Sequence, residues 1–182
     1  MRDVPLMRKA FLPPMNAHQL VILALGSNLG DPRRNVRQAM ERLQQLSDVP
    51  LLKSSLWHSS PVDCPPVSPM FVNAVVGLVP RGRETPESLF PKLQQIEKDL
   101  GRQPKKIRNE PRALDLDLVA FGDEVRAAGS LTLPHPRAHR RLFVLQPLSE
   151  IAPDLILPGQ TKTVRRLLFD LPPDHGMLKL EA

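Results

Sequence analysis

The stretch LDLDLV, residues 114–119, alternates leucine with aspartate. Alternation with a period of two predicts a β-strand whose leucines face the core while Asp115 and Asp117 project together from the other face. Aspartate is depleted in strands, and two like charges side by side repel each other. Two explanations fit these residues: an edge strand with a solvated acidic face, or a site for a divalent cation such as Mg²⁺, which binds one or two carboxylates together with substrate phosphates.

Length and composition predict a single globular domain. The chain has 182 residues, of which 41% are hydrophobic and 24% are charged, and this is enough for one core. No apolar run approaches the length of a membrane span, and the single cysteine, Cys64, excludes an internal disulfide and is typical of a reducing cytoplasm. Residues 1–18 lack the apolar segment of a signal peptide and are predicted to be a flexible extension, which leaves residues 19–182 as the domain.

Two basic clusters flank the aspartate strand in the sequence. The first contains Arg102, Lys105, Lys106, Arg108 and Arg112, and the second contains Arg137, His139, Arg140 and Arg141. The net charge of +6 favours an anionic partner, and nucleic acid, a nucleotide or a membrane surface would each satisfy it. Carboxylates that hold Mg²⁺ beside guanidinium groups that bind phosphate oxygens would form a phosphoryl-transfer site.

Hydrophobic periodicity, caps and turn residues divide the chain into strands and helices. The predicted strands are residues 20–25, 51–57, 71–79 and 114–121, and the predicted helices are residues 32–46, 85–100, 142–148 and 164–169. The order β-α-β-β-α-β predicts an α+β, ferredoxin-like core with additional short C-terminal helices. Residues 58–70 and 102–113 are predicted to be long active-site loops. The stretch LGSNLGD, residues 25–31, lacks the lysine and the spacing of a Walker A loop and favours a tight strand-to-helix turn.

Six motifs resemble a known family in order and spacing. They are LALGSNLGD at 23–31, FVNAV at 71–75, IEKDLGR at 96–102, PRALDLDLVAFG at 111–122, LTLPHPR at 131–137 and FVLQPLSEIAPD at 143–154. Together they resemble the 6-hydroxymethyl-7,8-dihydropterin pyrophosphokinases of folate biosynthesis. The resemblance implies a ferredoxin-like fold and an enzyme that moves pyrophosphate from ATP to the hydroxymethyl group of the pterin. It also implies two Mg²⁺ ions held by Asp115 and Asp117.

The resemblance further implies roles for individual residues. The residues implied in catalysis are Arg102, Arg112, Asp115 and Asp117. Those implied in ATP binding are Gln94, Glu97, Arg108, Arg112, Leu118, Leu131, Thr132, His135 and Arg141. Those implied in pterin binding are Ser59, Ser60, Val62, Phe71, Asn73, Asp115 and Phe143. Without the resemblance, both phenylalanines would be assigned to the core, and a solvated helix face stays open as an alternative for Glu97.

Several residues depart from the family pattern in the long loops. Asn109 stands where many members have tryptophan or another bulky residue, Glu110 where they have glycine, and Pro104 where some have arginine. The usual Thr-x-Pro of the first loop is Ser-Ser-Pro at residues 59–61. These changes leave the metal and phosphate residues in place and predict a looser lid over the substrates.

Two other function classes fit part of the sequence. RNA-recognition modules share the β-α-β-β-α-β order and a basic surface, but they need exposed aromatic residues on the sheet, and aromatic residues make up only 4% of this chain. A catalytically inactive pterin-binding homologue would not need the two aspartates or the arginines beside them, all of which are present. We therefore expect small-molecule substrates, a monomer in the cytoplasm, and no nucleic-acid or membrane partner.

Overall fold

The computed structural model describes residues 20–104, 107, 109–127, 131–172 and 176–181, so the predicted N-terminal extension lies outside the described residues. The strands are β1 (Val21–Ser27), β2 (Leu52–Lys53), β3 (Trp57–Ser59), β4 (Phe71–Leu78), β5 (Asp115–Phe121) and β6 (Leu178–Lys179). The helices are α1 (Pro32–Gln44), α2 (Pro86–Asp99), α3 (Leu142–Ile151) and α4 (Val164–Asp170). None of the described helices has the length and apolar character needed to cross a membrane.

The strands form one antiparallel sheet in the order β5-β1-β4-β3-β6, with β2 also paired to β4. Asp31 caps α1 by accepting a hydrogen bond from the N–H of Arg34 at 3.1 Å, and Thr85 caps α2 by accepting one from Ser88 at 3.3 Å. These caps start both helices at the proline that follows, as the sequence predicts. The ferredoxin-like β-α-β-β-α-β core is confirmed.

The segment over residues 51–57 was predicted to be one continuous strand. It forms two short strands, so that prediction was wrong. Between β2 and β3, the N–H of Ser54 donates to the carbonyl of Val75 at 3.0 Å, and the hydroxyl of Ser54 accepts from the N–H of Val75 at 2.9 Å. Between β2 and β3, the hydroxyl of Ser54 therefore takes the place of a main-chain carbonyl in the pairing with β4. Pairing resumes in β3 and continues to Ser59, so the long loop begins after Ser59 and not at His58.

The sheet is buried on both faces. Leu23 and Leu25 of β1 pack with α1 and α2 in one core cluster, whereas Ile22 and Ala24 pack with α3 and α4 in another. Because both faces are covered, β1 is apolar along most of its length and does not alternate. The C-terminal helices therefore form the second layer of the core and are not an addition to its outside.

Glu97 ties α2 to β5 from inside the protein. Its side chain accepts a hydrogen bond from the N–H of Leu116 at 2.7 Å and pairs with Arg102. The residue is only 7% exposed, so the alternative of a solvated helix face is wrong. Burial raises the pKa of Glu97 to about 6, although the Leu116 N–H and Arg102 act in the opposite direction.

This pKa predicts how stability depends on pH. The folded protein binds the proton of Glu97 more tightly than the unfolded chain, whose reference pKa is 4.5. Stability from this group is therefore present below the unfolded pKa and is lost as pH rises through the folded pKa. Relative to Glu97→Gln, the wild-type free energy of unfolding should fall by about 2 kcal/mol between about pH 4 and pH 7. Urea denaturation across this range measures the difference, and a difference that stays constant or rises with pH would contradict the assignment.

Candidate active site

Asp115 and Asp117 lie on one face of the edge strand β5. In the antiparallel pairing they stand opposite Gly26 and Ala24 of β1. The intervening Leu116 is 5% exposed and packs in the cluster beneath α1 and α2. The predicted alternation is therefore confirmed, and the small residues of β1 leave space beside both carboxylates.

Arginines neutralise the two carboxylates. Arg102 donates to Oδ1 of Asp115 at 2.6 Å, and Nη1 of Arg112 lies 3.4 Å from Oδ2 of the same residue. Nη1 of Arg141 lies 3.6 Å from Oδ2 of Asp117. The acidic face is thus not simply solvated, as an ordinary edge strand would be. Each carboxylate faces a guanidinium group that comes from a different loop.

The pKa values of Asp117 and His135 are shifted by burial and by neighbouring charges. Burial raises the pKa of Asp117, and the charge of Asp115 raises it further, whereas His135 and Arg141 act in the opposite direction. Burial lowers the pKa of His135, Arg141 and Arg137 lower it further, and Asp117 opposes them. The carboxylate of Asp117 and the imidazole of His135 thus act on each other's pKa, and Arg141 acts on both.

Two aromatic rings lie beside the charged groups. The guanidinium of Arg112 is 5.7 Å from the centre of the Phe71 ring, and that of Arg141 is 5.2 Å from the centre of the Phe143 ring. Both rings line a cavity of about 180 Å³ that also exposes the two aspartates. Phe71 is buried and Phe143 packs against the second core cluster, so the residues alone correctly suggest burial, and both rings also form part of the cavity wall.

Eleven of the predicted site residues line this cavity: Ser59, Ser60, Val62, Phe71, Asn73, Arg112, Asp115, Asp117, His135, Arg141 and Phe143. Arg102 lines a neighbouring depression that it shares with Arg112. The other predicted nucleotide contacts lie outside both: Gln94 and Thr132 are exposed, Leu131 is half-buried, and Leu118 and Glu97 are buried. Arg108 lies outside the described residues.

The two long loops meet at Asn109 and Asp63. The side chain of Asn109 donates to the main-chain carbonyl of Asp63 at 2.7 Å. Both residues have a positive φ, 55° for Asn109 and 54° for Asp63, a conformation that asparagine and aspartate tolerate best after glycine. Asp63 also lies 3.9 Å from Arg137 across the cavity mouth. A hydrogen bond between loops thus stands where the resemblance led us to expect an aromatic ring.

Sequence reasoning missed the polar residues behind Arg112. Ser27 and Asn28 are 0% and 2% exposed, and the motif that contains them was interpreted only as a tight turn. The hydroxyl of Ser27 donates to the carbonyl of Ala113 at 2.5 Å. Two polar residues at the end of a buried strand were the available signal, because buried polar groups in proteins are almost always hydrogen-bonded to something specific.

The residues fit a magnesium site that is completed by a ligand. Among the described residues, no group of three or more His, Cys, Asp or Glu side chains is placed to hold a cation. Asp115 and Asp117 alone supply two carboxylates, and Mg²⁺ commonly binds one or two carboxylates plus waters and substrate phosphates. Within the described part of the chain, the buried Nε of Arg112 also has no hydrogen-bond partner. The guanidinium groups of Arg102, Arg112 and Arg141 beside the aspartates are of the kind that binds an anionic ligand such as phosphate.

Comparison with known proteins identifies the family. The model of the family described as 7,8-dihydro-6-hydroxymethylpterin-pyrophosphokinase (HPPK) matches residues 22–153. A 2-amino-4-hydroxy-6-hydroxymethyldihydropteridine pyrophosphokinase from Haemophilus influenzae is 37% identical over 161 residues, covering 87% of this chain and 96% of that protein. One from Pseudomonas aeruginosa with the same name is 40% identical over 141 residues, covering 77% of this chain and 85% of that protein.

The fold is also found in a solved structure. Plasmodium falciparum HPPK-DHPS, wild type with pteroate, matches with a TM-score of 0.65 over 82% of this chain. This chain spans 42% of that longer protein, and the sequence identity is 13%, so the likeness bears on the fold alone. Together with the family match over residues 22–153, these findings establish that the chain belongs to the 7,8-dihydro-6-hydroxymethylpterin-pyrophosphokinase family.

Proposed function

We propose that the cavity beside β5 is the catalytic centre of this pyrophosphokinase. As a member of its family, the chain transfers pyrophosphate from ATP to the hydroxymethyl group of 6-hydroxymethyl-7,8-dihydropterin, a step of folate biosynthesis that uses Mg²⁺. The observation that carries the location is the juxtaposition in one cavity of Asp115, Asp117 and two phenylalanine rings. The roles of individual residues, the number of metal ions and the oligomeric state form the rest of the proposal.

The pterin would lie between Phe71 and Phe143. Aromatic rings stack favourably on a flat heterocycle, and Gly26 keeps this part of the cavity open, since a Cβ there would stand 3.7 Å from Phe71. The side-chain amide of Asn73 donates to the hydroxyl of Ser59 at 2.8 Å. That hydrogen bond leaves the carbonyl oxygen of Asn73 to accept from an N–H on the edge of the pterin, while Ser60 and Val62 complete the wall.

The triphosphate would lie among the arginines. Arg102, Arg112 and Arg141 already surround the two aspartates, and guanidinium groups bind phosphate oxygens strongly. Asp115 and Asp117 would hold two Mg²⁺ ions, which when bound would neutralise triphosphate charge next to the attacking and leaving oxygens.

The transfer itself follows from this placement. The hydroxyl oxygen of the pterin forms a bond to the β-phosphorus and releases its proton to water, while the bond from the β-phosphorus to the oxygen of the α-phosphate breaks and AMP leaves with that oxygen. The protein supplies orientation and charge stabilisation in this kind of reaction. We propose that the nucleotide also contacts the remaining residues implied by the resemblance: Gln94, Glu97, Arg108, Leu118, Leu131, Thr132 and His135.

We also propose that residues 19–182 act as one monomeric domain in the cytoplasm. The described strands share one sheet, and its two faces carry the two core clusters, so no second unit is needed to complete the cavity. The single cysteine agrees with a reducing compartment. Sedimentation of the full chain measures the oligomeric state, and a stable dimer would contradict this part of the proposal.

The activity is tested by incubating the protein with ATP, Mg²⁺ and 6-hydroxymethyl-7,8-dihydropterin. The expected result is one AMP and one pterin pyrophosphate formed per ATP consumed. A pterin-free reaction is the control for hydrolysis of ATP. AMP release that does not exceed this control would overturn the proposed function.

The aspartate assignment predicts the effect of neutral variants. Asp115→Asn and Asp117→Asn should each lower kcat by at least about a hundredfold, which corresponds to about 2.7 kcal/mol of transition-state stabilisation. The fold should survive, because asparagine keeps the size of the side chain and neither aspartate belongs to the two core clusters. The control is Asp99→Asn, since Asp99 is exposed at the end of α2 and accepts a hydrogen bond from the side chain of Gln95. If both site variants keep near wild-type activity in Mg²⁺, the assignment is wrong.

The contact between the loops predicts the effect of removing the Asn109 amide. Asn109→Gly keeps the positive φ and loses only the hydrogen bond to Asp63. Since one hydrogen bond contributes about 0.5–1.5 kcal/mol, the pterin should dissociate about two- to tenfold faster in the presence of a non-hydrolysable ATP analogue. Stopped-flow fluorescence of the pterin measures this rate.

The control for this variant is Asp63→Asn, which keeps both the carbonyl acceptor and a residue that tolerates positive φ and removes only the exposed charge that faces Arg137 at 3.9 Å. Its pterin dissociation rate should stay close to that of the wild type. An unchanged rate in Asn109→Gly would mean that the contact between the loops does not hold the substrate in place.

A further inference from the structure

The turn between β1 and α1 holds the segment that leads into β5. Three polar side chains take part, and each makes different contacts. Ser27 donates to the carbonyl of Ala113 at 2.5 Å, and Asn35 donates to the same carbonyl at 3.0 Å. Asn28 does not contact Ala113 and instead hydrogen-bonds to Arg112. The turn therefore has one set of contacts to Ala113 and a separate set to the arginine beside it.

Asn28 satisfies both main-chain groups of Arg112. Its Oδ1 accepts from the N–H of Arg112 at 2.7 Å, and its own N–H donates to the carbonyl of Arg112 at 3.0 Å. The remaining group of the side chain, Nδ2, donates to the carbonyl of Pro69 at 3.2 Å. With an exposed fraction of 2%, the Asn28 amide has no access to solvent that could replace these partners.

These contacts join the two halves of the cavity. Pro69 is two residues before Phe71 in the chain, and the guanidinium of Arg112 lies over the Phe71 ring. The same guanidinium reaches Asp115. One amide thus fixes the main chain from which the arginine extends and the main chain that leads to the ring beneath it.

We propose that Asn28 is a positioning residue that couples the pterin half of the site to the phosphate half through Arg112. It touches neither substrate, and it sets the register between the Arg112 guanidinium, the Phe71 ring and the Asp115 carboxylate. Only a side-chain amide supplies both an acceptor for the Arg112 N–H and a donor for the Pro69 carbonyl from one planar group. The inference rests on the proposed role of Arg112 at the triphosphate.

The first test compares alanine variants of Asn28, in the turn, and of Asn35, in the first turns of α1. Asn28→Ala loses the side-chain hydrogen bonds to the Arg112 N–H and the Pro69 carbonyl and keeps the main-chain bond to the Arg112 carbonyl. Asn35→Ala loses three hydrogen bonds, to Ser27, Leu29 and Ala113, and none to Arg112. A misplacement of about 1 Å can lower a rate by about a hundredfold, so kcat of Asn28→Ala should fall by about ten- to a hundredfold. Asn35→Ala should lower the urea midpoint and leave kcat within about threefold of wild type. Equal losses of kcat in both variants would overturn the proposal.

The second test is a double-mutant cycle with Arg112→Ala. If Asn28 acts through Arg112, then Asn28→Ala should lower kcat by less than about twofold when Arg112 is already alanine. Independent effects that multiply would overturn the positioning role and leave the assignment of Arg112 intact. Near wild-type activity of Arg112→Ala alone would overturn the proposed role of Arg112, and the two failures are therefore distinguishable.

A third variant keeps the proposal testable if Asn28→Ala does not fold. Asn28→Asp retains the acceptor for the Arg112 N–H and replaces the donor to Pro69 by a carboxylate oxygen, which repels the Pro69 carbonyl. Its kcat should stay within about fivefold of wild type, while the KM for the pterin rises by about three- to tenfold, because only the Phe71 side is released. A loss confined to kcat, with an unchanged pterin KM, would overturn the coupling.

Discussion

The carboxylate of Asp115 lies between Arg102 at 2.6 Å and Arg112 at 3.4 Å, and the arrangement of the site depends on this contact. Two unpaired carboxylates on one face of an edge strand would repel each other. Guanidinium groups from the long basic loop offset the charge of Asp115, and the carboxylate in turn holds these guanidinium groups in place. The same groups are the ones that a triphosphate would bind, so the contact that stabilises the free protein is also the one that a substrate would replace.

The fold determines where this contact can form. The β-α-β-β-α-β core places β5 at one edge of the sheet. Next to it, β1 carries Ala24 and Gly26 opposite the aspartates, and β4 carries Phe71 and Asn73. Behind β5, Glu97 accepts the Leu116 N–H at 2.7 Å and pairs with Arg102. The positions of the two aspartates and of Arg102 therefore follow from main-chain pairing and from one buried acid.

Local patterns in the sequence were enough to predict most of the fold. The helices α1 and α2 follow from caps and periodicity, and β5 follows from alternation, because each of these signals is contained within about a dozen residues. The break at Ser54 and the pairing of β6 with β3 could not be predicted in this way, since both depend on partners far away in the chain. The motif resemblance placed residues in the cavity that periodicity alone had assigned to the core, namely Phe71 and Phe143.

The contacts that organise the site were the least predictable from sequence. Asn28 and Arg112 are 84 residues apart, and Asn109 and Asp63 are 46 residues apart. No pattern within a segment indicates which distant carbonyl a buried amide will meet. What the sequence did show was the residue type, since asparagine tolerates a positive φ and supplies both a donor and an acceptor.

The central claim is that arginines form ion pairs with the two aspartates in the free protein and exchange them for the triphosphate when the nucleotide binds. Metal and triphosphate therefore bind together. Calorimetric titration tests this directly, with magnesium chloride added to the free protein in one experiment and the magnesium complex of a non-hydrolysable ATP analogue in the other. The account predicts no saturable binding of magnesium alone and saturable binding of the complex. A saturable magnesium site on the free protein that disappears in Asp115→Asn would contradict it.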